Sequence, residues 1–429
     1  DKNMVRGKSP GHDSLSIEHL QHSGVHLPRV LSMFYTLCLG HSYLPEKLML
    51  AVVVPIIKNK TGDASDLNNY RPISLATIIA KVLDALLGQH LDSNIKLHDA
   101  QFGFRPELST ESAILCLKQV VQYYKTRRTP IYACFLDLSR AFDLVSYNTL
   151  WDKLRCNTTL PNEITGLFGY WYNHQKNQVR WADSLSDAYR LECGVRQGGL
   201  TSPSLFNLYI NGLIEELNST KIGCHIDGVC VNNISYADDM VLLSPSISAL
   251  RRLLGICEKY VKGHGLRYNS KKSETMVFKA DNKTYSIVPN VSLDGSPLNR
   301  VEQFKYLGHW ITSNLNDNLD INRERRSLAV RCNMIARSLW VDYTQRAYSD
   351  LRVQYYNAFR VLMGLPRFCS ASGMFAESQI DGFHAIMRKR CASMLGRLRA
   401  SSNGILRTLA ARWDSPMLKR WVHLHTLHP

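Results

Sequence analysis

Hydrophobic positions over the first three quarters of the chain alternate between short strand-like runs and helix-like periodicity. The segments LMLAVVVPIIKNK (48–60), PIYACFLDLS (130–139) and ISYADDMVLL (234–243) are compact apolar runs, which is typical of buried strands. Apolar residues recur with helical spacing from Ser109 to Lys125 and in SPSLFNLYINGLIEELN (202–218). The pattern therefore predicts strands and helices mixed along one body.

A second pattern begins near Asn318. From there the chain consists of basic amphipathic segments with few strand signals, for example INRERRSLAVRCNMIARSLW (321–340). No internal repeat or low-complexity linker separates the two regions. This change predicts an α+β body followed by a helical, basic region.

Charge and cysteine content narrow the function classes. The 429 residues carry a formal net charge of +16, which favours a polyanionic partner such as nucleic acid. The eleven cysteines form no CxxC pair, which argues against a zinc site and a disulfide framework and favours a reducing nuclear or cytoplasmic location. The longest apolar stretch, 48–57, is too short to span a bilayer, so no membrane partner is expected. The first methionine is Met4, so we expect a fragment of a longer protein.

Three aspartates interrupt the predicted core strands. Asp137 follows the apolar run FL, and Asp238 and Asp239 precede the run MVLL. One explanation is a tight, exposed hairpin turn. The other is that two such strands lie side by side and present three carboxylates to a shared divalent cation, because the carboxylates would otherwise repel one another. Oxygen ligands suit Mg²⁺, and two such ions activate a hydroxyl nucleophile and stabilise a departing pyrophosphate.

The segments YADD, FLDLSRAFD and GVRQGGLTSPSLFNLYIN together resemble the palm of a reverse transcriptase, most closely those of non-LTR (LINE-type) retrotransposons. Further family motifs occur in the expected order, from about Lys8 to Gly308. They are GKSPGHD, NYRPISL, QFGFRP, LRYNSKKSETMVF and FKYLG.

The resemblance implies an α+β right-hand polymerase fold, with fingers and a palm that contains an antiparallel sheet, followed by a helical thumb. It places the fingers with an N-terminal extension at 1–129 and the palm at 130–315, with a helical insertion around 150–190. The thumb and the C-terminal helices occupy 316–429. The implied activity is the copying of RNA into DNA.

In this family pattern, Asp137 and Asp238 are the principal metal ligands and Asp239 is a weaker third carboxylate. The implied cofactor is Mg²⁺, as two ions, with Mn²⁺ as a substitute. Lys271 and Lys272 fall where the family carries a lysine that protonates the pyrophosphate. Either of these lysines fits that role, and both also fit ordinary surface charges.

The resemblance also assigns the nucleotide pocket. Lys58 and Arg71 match a triphosphate clamp, although a solvated lysine at a strand tip is common. Gln197 and Gly198 match the floor beneath the template–nucleotide pair, where glycine permits close approach; the alternative is a turn that starts a helix. Phe142 matches an aromatic gate that excludes a ribonucleotide 2′-hydroxyl, and its alternative is plain core packing.

Template and primer contacts are expected at three places. Arg196 is expected to reach a template phosphate, and Leu307 with Gly308 resembles a primer grip. The thumb arginines Arg323, Arg325, Arg326 and Arg331 form a stripe that would follow a duplex backbone, unless that stripe is only a solvated helix face.

The expected partners are an RNA template, a DNA primer or RNA–DNA duplex, and dNTPs, whereas the oligomeric state is not indicated. Two alternatives remain: a domesticated, catalytically inert nucleic-acid-binding descendant, and RNA synthesis on a similar palm. No endonuclease segment precedes Lys8 and no Cys/His knuckle is present, so we expect the polymerase core of a retrotransposon protein.

Overall fold

The computed structural model describes residues 6–59, 61–280, 288–328, 340, 342–412 and 414–426; within these ranges the side chains of 325–328, 362, 420 and 423–426 are not described. The chain divides into two compact units. The first consists of Asp1–His98, Leu138–Leu213 and Lys259–Arg267. The second consists of Asp99–Asp137, Ile214–Glu258 and Tyr268–Pro429.

The α-helices of the described residues are α1 (Ile17–Gln21), α2 (Leu27–Gly40), α3 (Glu46–Met49), α4 (Ile78–Asn94), α5 (Thr110–Thr126), α6 (Tyr147–Cys156), α7 (Asn162–His174), α8 (Ser202–Ser219), α9 (Ile247–Gly263), α10 (Asn318–Leu328), α11 (Gln345–Leu362), α12 (Ala371–Glu377), α13 (Phe383–Ala400), α14 (Gly404–Ala410) and α15 (Pro416–Thr426). None of them is both long enough and apolar enough to cross a membrane.

The strands of the same residues are β1 (Leu50–Ile57), β2 (Tyr70–Leu75), β3 (Ile131–Leu136), β4 (Lys176–Trp181), β5 (Ser184–Leu185), β6 (Tyr189–Arg190), β7 (His225–Ile226), β8 (Val229–Cys230), β9 (Asn233–Tyr236), β10 (Asp239–Ser244), β11 (Glu274–Phe278), β12 (Ser292–Leu293), β13 (Ser296–Pro297), β14 (Asn299–Arg300), β15 (Gln303–Tyr306) and β16 (His309–Thr312).

The first unit contains a sheet in the order β2–β1–β4–β5, with β6 also paired to β4. Strand β1 runs antiparallel to β2, with Ile56 opposite Arg71, and parallel to β4. Ala51, Val52 and Val53 of β1 are buried, which fits its β-branched sequence. Helices α6 and α7 pack together and contribute buried aromatic residues, including Trp171 and Tyr172.

The second unit contains a five-stranded sheet in the order β14–β11–β3–β10–β9. Its central strand β3 runs antiparallel to both β10 and β11. Phe135 and Leu136 of β3 are almost completely buried, as the apolar run predicted. Helix α5 begins at its N-cap Ser109, whose hydroxyl accepts a hydrogen bond from Ser112 N, and packs against β9.

The helices beyond residue 316 belong to the second unit. Their core includes Leu351, Phe359 and Phe383, which are buried in one cluster. The sequence-based division at 129 and 315 differs from the two units, since α5, β3 and α10 share one unit. The three-part division stays a prediction.

A buried ionic network lies beside the β15–β16 hairpin in the second unit. His309 is fully buried, and its Nδ1 lies 2.8 Å from Asp320 Oδ2. Its Nε2 lies 3.6 Å from Asp317 Oδ1, the same oxygen that Lys118 Nζ contacts. Trp340 Nε1 donates to Asp320 Oδ2. These contacts tie α5, the hairpin and α10 together.

Candidate active site

The aspartates identified in the sequence lie at one end of the second sheet. Asp137 follows the last residue of β3, and Asp239 is the first residue of β10. The two strands pair antiparallel with Met240 opposite Leu136, so Asp239 and Asp137 are the next positions outward. The prediction that these two strands lie side by side is confirmed.

Asp238 lies in the hairpin between β9 and β10. Tyr236 is opposite Asp239, which leaves Ala237 and Asp238 as a two-residue loop. Ala237 has φ of +56°, in the left-handed region where a type II′ hairpin favours glycine. A tight turn and a group of carboxylates, which the sequence offered as alternatives, therefore occur at the same place.

Among the three aspartates, Asp239 has surroundings that oppose its ionisation. Burial raises its pKa, and the neighbouring carboxylates of Asp238 and Asp137 raise that pKa further, to about 7. Part of the Asp239 surface remains exposed. At neutral pH the third negative charge is therefore only partly formed, because burial and the two neighbouring carboxylates oppose it.

The donor chemistry of this edge fits a hard divalent cation, since the three aspartates provide only oxygen atoms. Within the described ranges, no three or more His, Cys, Asp or Glu side chains are gathered closely enough to hold a metal ion as they stand. The aspartates provide the charge and the donor type, and ligation would require their side chains to turn toward a common point. The expected pair of ions stays a prediction.

The backbone of Asp137 is held by the segment that carries the two predicted lysines. Asn269 N donates to Asp137 O at 2.8 Å, and Asp137 N donates to Ser273 Oγ at 3.1 Å. Lys271 and Lys272 lie between these two contacts, and both are exposed. Both lysines therefore stand beside the end of β3, and their surroundings give no preference for either.

Lys58 and Arg71 occur on one hairpin of the first unit. Lys58 extends β1, where its backbone N donates to Asn69 O at 2.7 Å. Its Nζ donates to Asn68 O at 2.8 Å. Arg71 lies on β2, and both side chains are exposed. The hairpin therefore carries two exposed cationic side chains, and that of Lys58 is hydrogen-bonded to the backbone of the same hairpin.

Gln197 and Gly198 lie against β2 in the same unit. Ser74 N donates to Gln197 O at 2.8 Å, and Gln197 Nε2 donates to Asp143 Oδ1 at 3.0 Å. Gly198 has φ of +110°, and a Cβ on it would lie 3.1 Å from Ser74 O. The glycine is thus required both by its backbone conformation and by the close approach of β2.

Phe142 is half-buried, and its ring stacks on Phe206 with a centroid separation of 4.7 Å and an interplanar angle of 13°. Val195 N donates to Phe142 O at 2.7 Å, which joins this residue to the segment that carries Gln197. The structure therefore brings Phe142, Gln197 and Gly198 into one part of the first unit. The role of Phe142 as a gate stays a prediction.

Arg196 requires a correction. It is only 5% exposed, and its guanidinium lies 4.4 Å from the ring centre of Trp171. A cation that is stacked on an indole in the interior does not reach a template phosphate. Arg196 instead packs in the interior of the first unit against Trp171 and Tyr172 of α7.

Leu307 and Gly308 form the two-residue loop of the β15–β16 hairpin, where Tyr306 is opposite His309. Both loop residues have positive φ, as a type I′ turn requires. Phe304 of this hairpin stacks on Phe135 of β3 at 4.2 Å. The predicted primer grip is therefore a tight hairpin packed on the sheet that carries the aspartates.

Comparison with known proteins decides the family. The family model described as reverse transcriptase (RNA-dependent DNA polymerase) matches residues 57–311, more than half of the chain. The chain belongs to the reverse transcriptase family. The predicted resemblance to reverse transcriptases of non-LTR retrotransposons is confirmed by the relatives.

Two curated relatives are the Pol polyproteins of the R2 elements of Popillia japonica and Drosophila melanogaster. Each is 28% identical over 70% of this chain, which covers 42% and 28% of their lengths, respectively. The chain thus spans less than half of these relatives. Among solved structures, telomerase from Candida albicans is similar with a TM-score of 0.45 and 12% identity, over 89% of this chain and 63% of that chain.

Of the predicted thumb arginines, the structure describes the side chain of Arg323 only. Arg323 donates to Asp320 Oδ1 and Glu324 Oε1, so its charge is already paired. The side chains of Arg325 and Arg326 lie outside the described part of the structure, as does all of Arg331. Duplex binding by this stripe stays a prediction.

Several residues that build the site have no assigned role in the sequence interpretation. Asp143 fixes Gln197, and Asn269 with Ser273 fixes the end of β3. Each lies within a quoted motif, FLDLSRAFD or LRYNSKKSETMVF. Their motif membership was the available signal, but their partners are distant in the sequence.

Proposed function

We propose that this chain is the RNA-directed DNA polymerase core of a non-LTR retrotransposon protein. It would extend a primer 3′ end on an RNA template with dNTPs. The observation that carries the proposal is the placement of Asp137, Asp238 and Asp239 at one end of adjacent antiparallel strands. This placement supports nucleotidyl transfer, in which an attacking hydroxyl and a departing pyrophosphate both need a localised divalent charge.

Asp137 and Asp238 would be the principal ligands of two Mg²⁺ ions, with Mn²⁺ as a substitute and Asp239 as the third carboxylate. Bound there, such ions would lower the pKa of the primer hydroxyl and offset charge on the pyrophosphate. Lys58 and Arg71, exposed on one hairpin, would bind the triphosphate. Lys271 or Lys272, beside the end of β3, would supply a proton to the departing pyrophosphate.

The first unit would select the nucleotide. Phe142 has its ring fixed by Phe206, and Gln197 has its amide fixed by Asp143. A ring held in this way would exclude a 2′-hydroxyl by steric contact, so that dNTPs are preferred over rNTPs. Gly198 would allow the template–nucleotide pair to approach the backbone.

The partners that we propose are an RNA template and a primer that forms an RNA–DNA duplex with it. The basic surplus of the chain supports such a partner. The ten described cysteines are all free, which supports work in a reducing nuclear or cytoplasmic environment.

Primer extension on an RNA template tests the proposal, with dNTPs in one reaction and rNTPs in another. We expect extension with dNTPs, dependence on Mg²⁺ or Mn²⁺, and a loss of at least about a thousandfold in rate for Asp238→Ala. Binding of the primer–template should change little in that variant. Extension by Asp238→Ala at a tenth of the original rate, or a preference for rNTPs, would contradict it.

A further inference from the structure

The outer edge of β9 is covered by the segment Ala100–Gly103, which contains the first residues of the QFGFRP motif and lies in the same unit. Ser235 N donates to Ala100 O at 2.8 Å, and Phe102 N donates to Ser235 O at 2.7 Å. These two bonds hold the segment alongside the strand that leads into the YADD turn. The motif is therefore part of the support of that turn.

Gln101 connects this segment to the turn itself. Its side chain is completely buried, and its Oε1 accepts hydrogen bonds from Gly103 N at 2.9 Å and Ala237 N at 3.0 Å. Gly103 comes so close that a Cβ on it would lie 2.4 Å from Ala237 N. The amide oxygen of Gln101 thus fixes the first residue of the two-residue loop, and no larger residue fits at position 103.

The residue that Gln101 holds is the one whose conformation is unfavourable. Ala237 has φ of +56°, a region in which L-residues with a Cβ are less stable than glycine. The next residue is Asp238, so any relaxation of Ala237 changes the direction in which the Asp238 carboxylate points. A strained conformation of this kind persists only where its surroundings fix it.

We propose that Gln101 is a positioning residue for the polymerase reaction, which acts by holding Ala237 in its left-handed conformation and thereby aiming Asp238. This inference rests on the catalytic role proposed for Asp238. Gln101 itself contacts neither substrate nor metal ion in the proposal. Its effect is exerted through the backbone N–H of Ala237.

The test uses Gln101→Met, which keeps the length of the side chain and removes the acceptor. The matched control is Gln119→Met, because Gln119 is also a buried glutamine of the second unit, and its Oε1 accepts from Ser415 Oγ instead of from the turn. The extension burst is measured before steady state, with primer–template in excess over the enzyme and with saturating dNTP. We expect Gln101→Met to lower the rate constant about thirtyfold, since a displacement near 1 Å costs up to about a hundredfold. Gln119→Met should stay within about twofold.

Two readouts separate positioning from folding. The burst amplitude counts correctly folded enzyme, and we expect it to be retained in Gln101→Met while the rate constant falls. The Mg²⁺ concentration for half-maximal rate should rise several-fold in Gln101→Met and not in Gln119→Met, because Asp238 is misaligned. A loss confined to the burst amplitude, or equal losses in both variants, would reduce Gln101 to a structural core residue.

The decisive test combines Ala237→Gly with Gln101→Met. Glycine adopts positive φ readily, so the turn should depend less on the acceptor of Gln101. Adding Ala237→Gly to Gln101→Met should restore the rate constant at least about fivefold relative to Gln101→Met alone. No restoration would overturn the proposal.

A measurement that does not depend on polymerase activity separates this inference from the proposed function. The unfolding equilibrium is measured in denaturant for the wild type, Gln101→Met, Ala237→Gly and the double variant that combines these two changes. Gln101→Met should raise the unfolding equilibrium constant, and we expect the factor of this increase to be at least about threefold smaller in the Ala237→Gly background than in the wild type. Such a difference shows that the two contacting residues are energetically coupled. If the wild type extends no primer but the coupling is found, the proposed function fails and the support of the turn stands. Additive effects would refute the support itself.

Discussion

Gln197 donates a hydrogen bond from Nε2 to Asp143 Oδ1 over 3.0 Å, although the two residues are 54 positions apart. Asp143 directly follows Phe142, and Phe142 O accepts from Val195 N. The proposed gate and the proposed floor of the nucleotide pocket are therefore linked by two hydrogen bonds. A change at Asp143 should therefore alter the positions of both Phe142 and Gln197.

We predict that Asp143→Ala raises the KM for dNTP about tenfold, because a hydrogen bond to a charged acceptor contributes about 1.5–3 kcal/mol. The maximal rate should fall less than the KM rises. Steady-state extension with limiting dNTP measures both. Asp152→Ala is the control, since Asp152 forms an exposed pair with Arg155 at 2.9 Å. An unchanged KM in Asp143→Ala would mean that Gln197 does not support the nucleotide.

For Phe142, we predict that Phe142→Val lowers the ratio of kcat/KM for dNTP over rNTP by about a hundredfold, since a relieved clash is commonly a few kcal/mol. Phe206→Leu removes the stacking partner and keeps the gate residue, so its ratio should fall less. Thermal unfolding of both variants shows whether either has lost its core. If Phe142→Val is destabilised and its ratio is unchanged, Phe142 is a core residue and the gate lies elsewhere.

Asp320 leads to a pH prediction. Burial alone would raise its pKa, but His309, Trp340 Nε1 and Trp310 N outweigh burial and hold the pKa well below the usual range. An acid with a depressed pKa stabilises the fold above its unfolded pKa of about 3.9, and this contribution is lost as pH falls toward the folded value.

Asp320→Asn should therefore be less stable than the wild type by about 3 kcal/mol at pH 7, as expected for a broken buried pair. The difference should shrink steadily as the pH is lowered below about 4. Urea unfolding at a series of pH values measures it. Asp381→Asn, which breaks the exposed pair with Lys389, should change stability by less than about 1 kcal/mol throughout. A difference between wild type and Asp320→Asn that grows on acidification would contradict the assignment.

Salt dependence tests the thumb. We predict that the logarithm of the primer–template association constant falls with the logarithm of salt concentration with a slope of about −5 or steeper. Replacing Arg325 and Arg326 by Ser should flatten the slope by about one unit for each lost phosphate contact. Arg155→Ser, at an arginine already paired with an acid, should leave it unchanged. An unchanged slope in the Arg325/Arg326 double variant would mark a solvated helix face.

The sequence predicted the strands and the aspartates at their ends because that information is local. An apolar run that stops at a carboxylate marks both the strand and its border, as at Asp137 and Asp239. Gly198 was predicted to allow the close approach of a base pair, and the approach of β2 to this glycine was not predicted. The adjacency of β3 and β10 followed from one further assumption, that two similar strands share a cation.

What the sequence did not predict depends on contacts between distant positions. The family resemblance led us to expect Arg196 at a template phosphate, and only the fold brings Trp171 next to its guanidinium. Gln101 reaches Ala237 across 136 positions, and nothing in either segment indicates that partner. The left-handed conformation of Ala237 is equally invisible, because alanine gives no local signal for it.

The ion pair of Lys118 with Asp317 has a practical consequence for work with shortened versions of this protein. A fragment that ended at residue 315 would lack Asp317 and Asp320. Lys118 would then lose its contact with Asp317, and His309 would lose its contacts with both aspartates, although all four side chains are buried in the intact chain. Separating a buried charge from its partner is unfavourable by about 3–5 kcal/mol, a large share of the stability of an ordinary domain. Such a fragment would be recovered as insoluble material, and the segment that carries Asp317 and Asp320 must be expressed together with α5 and the β15–β16 hairpin that it contacts.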